Sequence, residues 1–353
     1  MTTGIAPRSA AAPASGRRAV GLWLVVCCAM VFLMVVLGGA TRLTESGLSM
    51  VEWRPVTGWL PPLSDAAWQA SFDAYRRSPE FQKMNFWMSL ADYKAIFWLE
   101  YIHRLWGRLI GVVFLLPFLW FALRRRIDGR LGWQLAGLFV LGGLQGGLGW
   151  YMVASGLVDR PDVSQYRLAA HLGVAVAIYG WMLWLALGCL APRRRAAGPR
   201  PLGGAVWLLI GWVGLTLVAG AFVAGMDAGF IYNTYPLMGD RLVPESAFEM
   251  APWWINFFEN AALVQFVHRL LGTALPFIAL GFWLAARRAA ITDRAWRAAG
   301  WMALAAVLQM ALGIATLLAH VPVPLGVAHQ AGAQVVLGLA LWTAYELRGD
   351  RRF

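Results

Sequence analysis

The chain has 353 residues, 59% of them hydrophobic and 14% charged, with a formal net charge of +12. Soluble domains carry about 25% charged residues, so this composition excludes an ordinary water-soluble protein. The charge is no nucleic-acid footprint either: the amino-terminal tail, the loops 124–130, 191–200 and 287–297 and the carboxy-terminal tail hold 18 arginines against four acids (Asp128, Asp293, Glu346 and Asp350), and the remainder holds 12 basic and 14 acidic residues.

In chain order, the tail 1–18 comes first, rich in Ala, Ser and Arg and without acids. That suits a transit peptide, but the tail is short and runs straight into an apolar segment, which favours a bacterial cytoplasmic tail. Apolar runs follow at 19–40, 95–123, 131–153, 167–190, 203–226, 260–286, 298–318 and 325–346. Each is close to the roughly 20 residues that cross a bilayer. Hydrocarbon offers backbone groups no hydrogen-bond partner, so all eight are expected to be helices of an all-α integral membrane protein. The arginine-rich loops mark the cytoplasmic face of a bacterial plasma membrane, with both termini inside. Cys27, Cys28 and Cys189 fall within these runs and form no CxxC, so no disulfide is expected.

The second half restates the first. Glu100-Tyr-Ile-His103-Arg104-Leu-Trp-Gly107 matches Gln265-Phe-Val-His268-Arg269-Leu-Leu-Gly272 at an offset of 165, and Leu-Gln145-Gly-Gly-Leu-Gly matches Leu-Gln309-Met-Ala-Leu-Gly at 164. Before the first histidine of each half lies a long outer loop, with Gly47-Leu-Ser, Pro55-Val-Thr-Gly58 and Pro62 in one and Gly229-Phe-Ile, Pro236-Leu-Met-Gly239 and Pro244 in the other. The expected organisation is two tandem four-helix bundles inserted the same way up, as parallel repeats over 19–190 and 203–347. A cytoplasmic linker, 191–202, joins them, and tails 1–18 and 348–353 flank them.

His103, His171, His268 and His329 each begin an apolar run, and the first arginine of the next basic loop follows after 21, 22, 19 and 19 residues. At about 1.5 Å per residue that is roughly one hydrocarbon thickness, so the four imidazoles share one depth near the outer face. Ionisable groups in a bilayer are costly and usually functional, and imidazole is an axial ligand of haem iron. Two bis-histidine haem sites are expected, pairing His103 with His171 and His268 with His329. Gly107 and Gly272, one turn after their histidines, and Gly326 and Gly332, on either side of His329, would leave room for a flat ligand. Close helix packing explains such glycines equally.

Arg104, Arg108 and Arg269 lie too deep to be ordinary anchors. They are candidates for binding haem propionates bidentately, or for snorkelling to outer headgroups. His320, in the proline-rich turn 320–324, is expected to lie outside both sites. The halves differ at Glu100, whose counterpart is Gln265. A carboxylate beside a haem can transfer protons, so the first half is expected to carry the chemistry; the alternative is a plain ion pair with Arg104, one turn on.

Gly38-Gly-Ala-Thr41-Arg42-Leu-Thr-Glu-Ser46-Gly47-Leu-Ser49, Pro55-Val-Thr-Gly58, Glu100-Tyr-Ile-His-Arg-Leu-Trp-Gly-Arg108, Tyr166-Arg-Leu-Ala-Ala-His171, Gln265-Phe-Val-His-Arg-Leu-Leu-Gly272 and Gly326-Val-Ala-His329-Gln together resemble the haem A synthase family over residues 20 to 347. The loop without cysteines is similar to the proteobacterial and mitochondrial branch. The resemblance implies oxidation of a ring methyl of haem O to a formyl group by two hydroxylations and loss of water from a geminal diol, giving haem A for haem-copper oxidases. It implies haem b on His268 and His329, haem O between His103 and His171, Glu100 near the reacting methyl, and a contact of Arg42 with a propionate or the outer loop. Haem O synthase, oxidase assembly factors and an electron donor that the sequence does not name are the expected partners, with membrane lipid around the chain and no nucleic acid. A bis-histidine cytochrome that only passes electrons, or a haem carrier, would also need four histidines at matched depths.

Overall fold

The computed structural model describes residues 14–52, 58–156, 163–191 and 200–348. Most of Pro55-Val-Thr-Gly58, most of the linker and most of both tails lie outside the described residues. The helices are α1 Ala14–Leu43, α2 Asp65–Arg76, α3 Pro79–Lys83, α4 Leu90–Leu123, α5 Gly129–Gly156, α6 Gln165–Leu190, α7 Arg200–Gly225, α8 Asn256–Glu259, α9 Ala261–Arg287, α10 Asp293–Leu318 and α11 Val323–Leu347. Eight of them (α1, α4, α5, α6, α7, α9, α10 and α11) are long and apolar enough to cross a membrane and coincide with the eight predicted runs. The chain is an all-α, multi-pass membrane protein. Large apolar side chains such as Leu116, Leu123, Trp133, Leu208 and Phe277 stand exposed on the bundle's surface, as a lipid environment requires.

Several helix starts are fixed by local chemistry. Ser89 and Asp92 form a reciprocal capping box at α4. Asn260 accepts from two backbone N–H groups at the start of α9, and Thr292 accepts from Ala295 at α10. The three cysteines are free.

The first long loop contains two short helices, α2 and α3. Ser64 and Ser78 cap α2 and α3. Trp68, Phe72 and Tyr75 share one face of α2 at helical spacing and join Phe81, Tyr93, Phe97 and Tyr101 in an aromatic core. With 34 residues α4 is about 51 Å long, well beyond one hydrocarbon thickness. Its first turns therefore stand outside the membrane and carry this cap.

The packing order is the same in both halves. α1 contacts α4 and α6, and α5 joins α4 to α6; α7 contacts α9 and α11, and α10 joins α9 to α11. In each ring the two histidine-bearing helices stand on the diagonal. The halves meet through α1 and α6 on one side and α7 and α11 on the other. Across this seam the Gln330 side-chain amide donates to the Val35 carbonyl at 3.1 Å.

The first bundle has a buried core at the end away from the histidines, where Trp23, Leu24, Phe114, Phe121, Leu135 and Met182 pack together. Met302, Val336, Phe282 and Ala299 belong to the matching core of the second. At the histidine-bearing ends glycines such as Gly38, Gly107, Gly149, Gly220, Gly272 and Gly313 line a space that the side chains do not fill.

Candidate functional site

One continuous cavity of about 1640 Å³ occupies the histidine-bearing ends and runs through both halves. Ordinary ligand pockets hold about 300–1,000 Å³, so the space exceeds what one small ligand needs. His103, His171, His268 and His329 all line it, as do Glu100, Arg42, Arg104, Arg108 and Arg269. His320 is exposed, in a turn with φ 62°, and does not line the cavity.

Each imidazole lies against a glycine of the span before its own. A Cβ on Gly38 would lie 3.3 Å from His103, on Gly149 3.1 Å from His171, on Gly220 3.0 Å from His268 and on Gly313 2.6 Å from His329. Of the glycines on the histidines' own helices, expected to leave room for a flat ligand, Gly107, Gly272 and Gly326 line the cavity, whereas Gly332 faces the Gln309 side chain. The informative glycines were legible: Gly149 and Gly313 end the match at offset 164, and Gly38 and Gly220 stand 182 apart, the offset of the outer loops.

Backbone and ring contacts hold the imidazoles further. Gln145 donates to the His171 carbonyl at 2.9 Å; its counterpart Gln309 donates to the His329 carbonyl at 2.7 Å and lies 3.0 Å from His329 Nδ1. His268 Nδ1 lies 3.2 Å from the Thr216 carbonyl. When Nδ1 carries the proton it donates there, and the Nε2 lone pair is left for a metal. The His268 and His329 ring centroids are 6.2 Å apart with planes at 89°. A metal–imidazole bond is about 2.0–2.1 Å, which puts two rings clasping one metal roughly 6 Å apart between centroids. The second-half pair therefore fits a bis-histidine metal centre. Among the described residues no cluster of three or more His, Cys, Asp or Glu forms a bare-metal site.

Glu100 is 2% exposed and both its oxygens are engaged. One accepts from Ser49 Oγ at 2.6 Å and from the Met50 N–H at 2.8 Å; the other pairs with Arg104. Arg104 also donates to the Met50 carbonyl at 2.9 Å and the Glu52 carbonyl at 3.3 Å. The second half repeats this without the charge. Gln265 donates to the Tyr232 carbonyl at 3.0 Å, and Arg269 to the carbonyls of Tyr232 at 2.8 Å, Thr234 at 2.9 Å and Leu237 at 3.3 Å. In both halves the arginine after the histidine thus draws the outer loop over the cavity. Arg108 stacks over Trp59 at 6.0 Å. Arg42 reaches both carboxylate oxygens of Asp227 at 2.9 Å, joining the end of α1 to the outer loop of the other half.

Gly313→Ala places a methyl where His329 now sits, so the ring must move, whereas Gly281→Ala meets nothing within 4 Å. In a close-packed interior such a shift is not absorbed freely. The bound-haem spectrum of purified Gly313→Ala is expected to weaken or change its spin state, and that of Gly281→Ala to match the parent. Equal spectra in both would show that this contact does not position the ring.

Comparison with known proteins adds an independent line. Residues 21–341 match the COX15-CtaA family model, cytochrome oxidase assembly protein. Heme A synthase of Rhodospirillum centenum is 53% identical over 346 residues, covering 97% of this chain and 90% of its own length. Heme A synthase of Nitrosospira multiformis is 48% identical over 335 residues, 94% of either chain. Heme A synthase COX15 of Arabidopsis thaliana is 48% identical over 345 residues, 93% of this chain and 74% of its own length.

Proposed function

Because the chain belongs to the COX15-CtaA family of cytochrome oxidase assembly proteins, we infer that it is a haem A synthase. It is a membrane oxidoreductase that turns a ring methyl group of haem O into the formyl group of haem A, for haem-copper oxidases. The observation that carries this reading is the identity of about 50% to proteins of that name over nearly the whole chain.

The roles within the site are our proposal. His268 and His329 hold haem b, a reading supported by their 6.2 Å spacing. His103 and His171 flank haem O in the first half, supported by their place on the diagonal of the equivalent ring. The shared packing order supports treating 19–190 and 203–347 as parallel repeats, one for substrate and one for cofactor. When bound, haem b supplies one-electron transfer. Haem O synthase, oxidase assembly factors and an electron donor outside the chain are its proposed partners. The arginine-rich loops support cytoplasmic termini in a bacterial plasma membrane.

The chain's own residues do the rest. Ser49 and Met50 fix the Glu100 carboxylate from the outer loop, and Arg104 fixes it from the same helix. The loops pinned by Arg104 and Arg269 restrict water at the outer mouth. In this enclosure Glu100 is the group placed to take or return a proton at the reacting methyl. Contacts of Arg42, Arg104, Arg108 and Arg269 with propionates are proposed on the same ground, since all four line the cavity.

Haem identification by chromatography tests the function. Protein expressed with a haem O supply is expected to yield haem A, and without that supply only haem b. A cytochrome or a carrier would yield no formylated haem under either condition.

A further inference from the structure

Glu80 lies on α3, in the cap outside the membrane, and the family resemblance gave it no role. It is 5% exposed and lines the same cavity as Glu100 and the histidines. One oxygen, Oε2, is buried without a hydrogen-bond partner. The carboxylate accepts from the Tyr75 hydroxyl of α2, which itself accepts from the Asn85 side-chain amide at 2.8 Å. Tyr75 is held in place by a ring stack on Tyr93 of α4, with centroids 5.1 Å apart.

Three carboxylates thus line one side of the cavity, at different depths. Glu100 is 2% exposed with every oxygen occupied by a donor; Glu80 is nearly as buried but keeps a bare oxygen; Glu45, in the turn after α1, is exposed to water. Changing a methyl group to a formyl group breaks C–H bonds and makes a C–O bond, so protons must leave the site. Glu100 cannot exchange them with water directly.

We propose that Glu80 is the proton-relay residue of the first cavity, exchanging protons between the Glu100 site and outer water, with Glu45 as the outlet. The step involves no electrons. A proton leaving the substrate side binds Glu80 Oε2, and the carboxyl later releases one proton towards Glu45 and bulk water; uptake runs the same way in reverse. The groups that face Glu80 are Tyr75 from α2, Glu100 from α4 and Glu45 from the turn after α1. Burial pushes its carboxyl up to about 7, Tyr75 opposes that rise, and the charges of Glu100 and Glu45 add to it. A group titrating near neutral pH exchanges protons in both directions with little bias.

The inference rests on the haem A synthase reading, and the parent separates the two: a parent making no haem A fails that reading before any variant is measured. With an active parent, haem A formation is followed from pH 6 to 8 in membranes carrying the full chain at matched haem b content. Glu80→Gln is expected to accumulate haem O, to lose at least about tenfold in rate and to lose the pH dependence near 7, whereas Glu80→Asp restores most of both. Tyr75→Phe keeps the carboxyl but removes its donor, and is expected to move the midpoint to higher pH. This second variant decides the matter if Glu80→Gln is not inserted stably. A parental rate and pH profile in Glu80→Gln, or an unmoved midpoint in Tyr75→Phe, overturns the proposal.

Discussion

Glu100→Gln is expected to insert, to keep its haem b and to form little or no haem A, with haem O or a hydroxylated intermediate accumulating. The fold should survive because Gln265 occupies the equivalent position of the second half and tethers its loop through the Tyr232 carbonyl. In the first half the new amide oxygen still accepts from Ser49 and from the Met50 N–H, and Arg104 keeps its bonds to the Met50 and Glu52 carbonyls. What is lost is the carboxylate. A positioned acid or base contributes about 10²–10⁴-fold, and the rate is expected to fall within that range. Membrane level and haem b content must equal the parent's for the comparison to count. Haem A at the parental rate under those conditions would reduce Glu100 to the ion-pair partner of Arg104 and loop anchor that the contacts already show.

Removing either second-half histidine gives the other large effect. His268→Ala and His329→Ala are each expected to abolish the stable low-spin haem b spectrum, while His103→Ala leaves it in place. The rings stand 6.2 Å apart, so one imidazole cannot be replaced by its neighbour without a helix moving. A milder change tests the same centre. Gln309→Ala removes the amide that donates to the His329 carbonyl and so fixes the backbone that carries the ring. Contacts that orient a metal ligand contribute about 10–100-fold to metal-site affinity, so a partial loss of haem is expected. A low-spin spectrum that persists in the His268→Ala, His329→Ala double variant would place haem b elsewhere.

Much of the molecule is legible in the chain itself, for a physical reason. Bilayer thickness, helical rise and backbone satisfaction are local constraints, so composition and run length define the eight spans without reference to neighbours. Counting from each histidine to the first arginine of the next basic loop gives their shared depth for the same reason. Internal similarity pairs Glu100 with Gln265 and Gln145 with Gln309, and those pairs recur as equivalent contacts in the structure.

Tertiary structure decided what depends on which helix stands beside which. A sequence shows that Gly38, Gly149, Gly220 and Gly313 are glycines; only packing shows that each faces an imidazole of the following span. Arg104 and Arg269 look like ligands for an anion; Arg104 finds one in Glu100 of its own helix, and both arginines also bond carbonyls of loops far along the chain. Arg42 finds Asp227, 185 residues away. The aromatic cap buries Glu80, and the fold places it on the cavity wall. Hydrophobicity and rise per residue act along the chain and are written in it, whereas neighbour contacts arise only when eight helices compete for one another's faces.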